Sequence, residues 1–190
     1  MKKFRAYIEQ ISELSDQDWK LFSSKLVRRE FSKKVDLLAV GQVDNYISFI
    51  EEGVVRLLIP KEEEDKEITF GFSFAGEFIS GYDSFLTREP SLYQIEPLAN
   101  CVLWSISYKD LQEVYVKTKI GNLIGRLTSE RLYLIKSARM QSLLNQSAEE
   151  RYLNLLTDRP HLLNEIPLKY IASYIGVTPQ ALSRVRKRLL

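Results

Sequence analysis

IPLKYIASYIGVTPQALSRVRKRLL, residues 166–190, carries two helical patterns parted by a glycine. Leu168 to Ile175 predicts one helix, with Pro167 placed at its first turn. Gly176 offers the left-handed backbone position that ends it, and Val177 is the apolar residue that plugs the corner. Thr178 then caps a second helix beginning at Pro179. Ala172 is small where two helices must approach, while Ile171, Ile175, Val177, Leu182 and Val185 supply the apolar sides. This is the layout of a helix-turn-helix.

The second helix has two faces. Ala181, Leu182, Val185 and Leu189 turn inward, and Gln180, Ser183, Arg184 and Lys187 form an outward stripe. An outward Arg pairs bidentately with guanine and an outward Gln with adenine, so Gln180 and Arg184 are placed to read base edges in the major groove. Thr178 and the amides above it suit a phosphate, and Arg186, Lys187 and Arg188 add attraction that does not depend on sequence. Charge distribution agrees. From Pro167 to Leu190 there are five basic residues and no acidic one, leaving 22 basic against 25 acidic elsewhere in a chain of net charge +2.

The rest of the 190 residues, 45% apolar overall, can build a real core. No run approaches the roughly 18 apolar residues of a membrane span, and the charged start MKKFRAYIEQISEL leaves no secretory core, so the expected location is the cytoplasm, with no membrane partner. Cys101 is alone and His161 is alone, which excludes a disulfide within the chain and leaves no ligand set for zinc, an iron–sulfur cluster or haem. His161 reads as an exposed loop residue after Pro160. Nucleophile elbows, phosphate-cradling glycine loops and paired catalytic carboxylates are missing, which argues against an enzyme.

Upstream, Ser15 with Asp18 predicts a capped helix through Leu21, Phe22 and Leu26. VDLLAVGQ, NYISFIEEG, VVRLLIP, EITFGFSF, LYQIEPL and CVLWSIS follow as short β-rich runs punctuated by Gly, Pro, Asn or Asp. That rhythm predicts an antiparallel sandwich or barrel, with KEEEDKE, residues 61–67, as an exposed hairpin tip. From Tyr108 to about Asn145 the chain has no proline and helical spacing. Ile120, Ile124, Leu127, Leu134 and Ala138 form a seam interrupted by Arg131 and continued by Gln141 and Asn145, as for a dimer interface, although an intramolecular core helix is the other reading of that spacing. Ser147 with Glu150 opens a further helix that stops near Pro160.

A β-rich front, a long helix and a terminal helix-turn-helix, in that order, resemble the Crp/Fnr family of bacterial transcription regulators. NYISFIEEGVVRLLI resembles that family's paired strands around a turn glycine, here Gly53, and FAGEF with Gly76 the turn before its ligand cassette. CVLWSISYKDLQEVY is similar to its last strand and following helix, and IASYIGVTPQALSRVRKRL to its reading head. The resemblance implies an α+β chain: a cyclic-nucleotide-binding-type jelly roll (a double-stranded β-helix) over residues 1–107, a dimerisation helix and linker over 108–146, and a helix-turn-helix domain over 147–190. It implies a homodimer on a palindromic operator in double-stranded DNA, with RNA polymerase as a candidate further partner. By position Gln180 and Arg184 match the base readers, while Pro179 replaces the usual basic residue, so the bases read should differ.

The cassette departs from the family. The Gly-Glu pair that holds the ribose of cyclic AMP falls on Ser80 and Gly81, and the Arg-Ser pair that neutralises its phosphate falls near Pro90, Ser91 and Leu92. Proline has no N–H, and a buried phosphate without a cation is costly. Gly76, Ser80, Gly81, Arg88 and Ser91 outline the candidate pocket, with Arg88 the nearby cation. The expectation is a regulator with no cofactor, independent of cyclic AMP, whose sandwich takes another small-molecule effector or none. The alternative is a cyclic-nucleotide or other small-ligand sensor whose helical tail binds a protein partner. The family's two-stranded wing has no counterpart before Leu190, which shifts affinity towards Arg186, Lys187 and Arg188.

Overall fold

The computed structural model describes every residue except 34, 63–66 and 190. Most of the proposed tip at 61–67 therefore lies outside the described residues. The chain divides into two compact units, Met1–Leu57 with Phe72–Glu130, and Leu58–Gly71 with Arg131–Leu190.

The first unit opens with two helices. α1 (Lys2–Ile11) precedes α2 (Asp16–Ser24), whose N-cap Ser15 accepts from the Asp18 amide as expected. Strands β1 (Val27–Phe31), β2 (Tyr46–Glu52), β3 (Val54–Ile59), β4 (Ile68–Phe74), β5 (Phe78–Ile79), β6 (Gln94–Pro97) and β7 (Cys101–Ser107) follow, with α3 (Tyr82–Thr87) between β5 and β6. They form a sheet of order β1-β7-β2-β5 and a second of order β4-β3-β6. This is the expected antiparallel sandwich within an α+β chain. Gly53 joins β2 to β3 at φ 102°, and an added Cβ would stand 2.5 Å from Cys101 Sγ, so the turn needs a glycine for both shape and space.

Period-two alternation divides the first sheet into two faces. Ser48 pairs with Ser105 and Ile50 with Leu103 on one face, where the two serine hydroxyls meet at 2.7 Å. On the other face Ile47 pairs with Ile106 and Phe49 with Trp104. The helices cover that second face: the Phe4 ring of α1 lies 5.1 Å from Phe49 and 5.4 Å from Phe22.

Two sequence expectations are corrected. VDLLAVGQ is not a strand; Leu38 makes a lone antiparallel bridge to Ile95 and Gln42 bonds back to Ala39 in a turn. The long helix from Tyr108 is broken into α4 (Tyr108–Lys117) and α5 (Gly121–Asn145). Thr118 ends α4 in an extended conformation while its amide and hydroxyl both bond to the Val114 carbonyl. A Cβ at Gly121 would stand 2.5 Å from that same carbonyl, so the glycine lets α5 restart against the end of α4.

The second unit contains α6 (Ala148–Asp158), α7 (Leu162–Glu165), α8 (Leu168–Ile175) and α9 (Pro179–Leu189). The Ser147–Glu150 capping box opens α6, and Tyr152, Leu155, Leu162, Ile171, Ile175, Leu182 and Val185 are buried together with Ala172. The ends of β3 and β4 belong here too. Ser173 Oγ accepts from the Thr69 amide at 2.9 Å and donates to the Glu67 carbonyl at 2.7 Å.

Candidate nucleic-acid interface and ligand cassette

The turn between α8 and α9 has the geometry that its residues demand. Gly176 sits at φ 78°, ψ 36°, and its amide and that of Val177 return to Ser173 and Ala172. Arg151 Nε donates to the Ile175 carbonyl at 2.7 Å, which satisfies an acceptor at the end of α8. Arg139 stacks over the Tyr174 ring at 4.0 Å and donates to the Tyr174 carbonyl. Thr178 Oγ1 accepts from the Ala181 amide at 3.2 Å and so begins α9.

On α9, Leu182 and Val185 are buried, whereas Thr178, Gln180, Ser183, Arg184, Lys187 and Arg188 are exposed and Arg186 is half-buried. Leu189, expected to face inward, is 37% exposed in the last turn. Arg188 lies 3.2 Å from Glu149 in an exposed pair. Gln180, Ser183, Arg184 and Lys187 thus occupy one solvent-facing stripe with no acidic residue on their helix. Chemically, that stripe offers amide and guanidinium donors beside a helix N-terminus.

The seam residues are split. Ile124 is 8% exposed and Ile120 packs against the core cluster of Phe4, Phe22 and Phe85 in the first unit. Leu127 is half-buried, while Arg131, Leu134 and Ala138 are exposed, together with Tyr133, Ile135 and Leu144 further along α5.

The cassette residues come together, but with their bonding used within the chain. Asp44, a residue that the sequence reading missed, accepts from the Gly81 amide at 2.6 Å, the Ser80 hydroxyl at 3.1 Å and the Tyr46 amide at 2.9 Å. A Cβ at Gly81 would stand 2.4 Å from Leu38 Cδ2, so a glutamate where the family places one would have to push the buried Leu38 side chain aside. Arg88 is the left-handed C-cap that follows α3. Its guanidinium donates to the carbonyls of Asp44 and Phe85 and stacks over Tyr108. Ser91 is buried, with its hydroxyl given to the Tyr93 carbonyl. Gly76, at φ 93°, only makes the turn between β4 and β5. A cyclic phosphate does not fit these groups, because the Gly81 amide already holds a carboxylate and the nearby cation is tied to carbonyls.

Two more polar groups, one buried and one half-buried, escaped the sequence reading. Arg56 on β3 is 1% exposed and lies 2.8 Å from Glu96 on β6. Tyr93, whose hydroxyl donates to Asp83 at 2.5 Å, has its phenol pushed above the ordinary range by burial and by that carboxylate. Among the described residues no cluster of His, Cys, Asp and Glu could hold a metal, and no helix is long and apolar enough to cross a membrane.

Known proteins share this arrangement. Residues 28–118 match the cyclic nucleotide-binding domain family. The CRP-like protein Clp of Xanthomonas oryzae pv. oryzae is 24% identical over 177 residues, covering 85% of this chain and 76% of that protein. The chain is similar in sequence and in fold to Crp/Fnr proteins. Its Crp/Fnr fold is shared by Clp of Xanthomonas campestris, a c-di-GMP responsive global regulator, at a TM-score of 0.67 and 19% identity, covering 92% of this chain and 91% of that one. FixK2 of Bradyrhizobium japonicum is similar at a TM-score of 0.69 and 15% identity, covering 86% and 84%. Clp of Xanthomonas campestris links cell–cell signalling to virulence gene expression.

Proposed function

We propose that this Crp/Fnr-like protein is a sequence-specific DNA-binding transcriptional regulator that acts as a homodimer on a palindromic operator and does so without cyclic AMP. The observation that carries the reading is the exposed stripe Gln180, Ser183, Arg184 and Lys187 on a capped second helix of a helix-turn-helix. Gln180 and Arg184 read base edges, while Thr178, Arg186, Lys187 and Arg188 contact phosphates. Residues 1–107 form the sensor-like roll, 108–146 the dimerisation segment and 147–190 the DNA-binding domain. The exposed apolar side chains Tyr133, Leu134 and Leu144 support dimerisation through α5. Independence from cyclic AMP is supported by Asp44 and Arg88, whose bonds close the cassette from within.

The test is selection of bound sequences from random duplex DNA by the purified protein with no added ligand. The expected result is a palindrome with half-sites about one helical turn apart. Arg184→Ala should relax preference at one base pair per half-site by about 1–3 kcal/mol. Unchanged preference in that variant would remove Arg184 from the reading face.

A further inference from the structure

We infer that the helix-covered face of the four-stranded sheet holds a binding site for a small neutral molecule with an apolar body and one hydrogen-bonding group. A cavity of about 50 Å³ lies there, within the first unit. Phe22 of α2, Phe78 and Ile106 of the sheet, Tyr115 of α4, and Ile124 and Thr128 of α5 are among its walls. Asp44, Ser80, Gly81, Arg88 and Ser91 are not, so the site is separate from the cassette.

Three observations define the occupant. Among the described residues no charged side chain lines the cavity, and burial raises the Tyr115 phenol to about 12, so the walls are neutral near pH 7. That excludes anions such as cyclic nucleotides, whose charge would go unpaired. Secondly, the polar wall groups Tyr82 and Trp104 are already engaged: the Tyr82 hydroxyl meets Ser129 Oγ at 2.8 Å, and the Trp104 indole N–H donates to Glu51. Thirdly, the Thr128 hydroxyl oxygen is buried with no hydrogen-bond partner among the described residues. A buried hydroxyl without a partner costs free energy that a ligand can recover.

Water is a poor filler. A volume of about 50 Å³ has room for three or four water-sized groups at roughly 10–15 Å³ each, but every water needs two to four polar partners and this wall is mostly apolar. An alcohol or ketone of about three or four heavy atoms answers both the apolar walls and Thr128. Close packing of α5 shapes the site: a Cβ at Gly125 would stand 2.9 Å from the Tyr115 ring, so the glycine admits the phenol beside the first turns of α5. An occupant would therefore fasten those turns to the sheet, making the site an input to α5.

The test uses the full chain with ¹³C-labelled Ile, Leu and Val methyls, titrated with propan-1-ol and, separately, with xenon. Propan-1-ol should give saturable shifts at Ile106 and Ile124. Thr128→Val, nearly the same shape without the hydroxyl, should bind propan-1-ol about tenfold more weakly or worse, and Thr128→Ser should bind within about threefold of the wild type. Xenon, which needs no hydrogen bond, should shift the same methyls equally in all three proteins and so also reports an intact cavity. The proposal is overturned if propan-1-ol shifts do not saturate, if they spread over surface methyls, if Thr128→Val binds as tightly as the wild type, or if Thr128→Ser does not bind. No DNA enters the measurement, so it stands or falls apart from the DNA-binding reading.

Discussion

Two helix N-termini in this chain treat negative charge in opposite ways. At the start of α3 the Gly81 amide is occupied, 2.6 Å from the Asp44 carboxylate, and the nearby Arg88 donates to carbonyls. At the start of α9 the exposed Thr178 and Gln180 face solvent, with Arg186, Lys187 and Arg188 in the last turn. Each of these N-termini resembles an anion-binding part of one family, yet only the second keeps its donors and cations on the surface. Resemblance locates a site, and the partners of its donors decide whether it is open.

The largest effect should come from stripping the cations of the open helix, α9. Arg186→Ala, Lys187→Ala and Arg188→Ala combined should weaken binding to every duplex by at least about 100-fold near 0.15 M salt and, with six cations lost per dimer, make the salt slope shallower by about five. Loss confined to one sequence in a mobility-shift titration would mean that these cations read bases, and would break the contrast between steering charge and reading stripe. Next, removing the carboxylate that closes the start of α3 by Asp44→Ala leaves the Gly81 and Tyr46 amides and the Ser80 hydroxyl without their acceptor. That should cost about 2 kcal/mol in urea unfolding. Cyclic AMP should leave the wild-type thermal midpoint unmoved; an upward shift would show that the start of α3 is open after all.

The smallest effect concerns Glu113, which touches neither N-terminus and sets the baseline for ordinary surface charge. Hydrogen bonds from Lys25 at 2.6 Å and Lys117 at 2.9 Å hold its carboxyl down at about 2, against 4.5 ordinarily. A carboxyl whose folded value is depressed stabilises the fold above its unfolded value and loses that contribution as pH falls towards the folded one. Glu113→Gln should therefore lower the thermal midpoint slightly at pH 7, with the difference closing between about 4.5 and 2. A gap that persists at pH 2 would trace to packing rather than charge.

The sequence revealed most where the signals were local. Gly176, Val177 and the Thr178–Pro179 cap lie within four residues of one another, and so do the members of the Ser147–Glu150 box; both motifs form as read. Strands β2, β3, β4, β6 and β7 followed from β-rich runs between turn residues. What escaped depends on partners distant along the chain. Asp44 meets Gly81 across 37 positions, and Arg56 is tolerated inside β3 because Glu96 reaches it. The break at Thr118 turns on a side chain bonding back to its own helix, which helical spacing does not encode. Ile120 and Ile124 share a period with Leu134 and Ala138, but only the first two meet the core of the first unit.

The contact between Ser173 and the end of β4 bears on how the chain is made. Ser173 closes with Glu67 and Thr69 across separations of 106 and 104 residues, inside a compact unit whose two pieces are Leu58–Gly71 and Arg131–Leu190. On the ribosome the first piece emerges well before the second. The second unit therefore completes only after the intervening strands and helices have been synthesised, and its non-local closure belongs to the slow class of folding events. A fragment cut at Arg131 would carry α8 without its strand partner, so the part of this protein that looks most like an independent module is completed by the ends of β3 and β4.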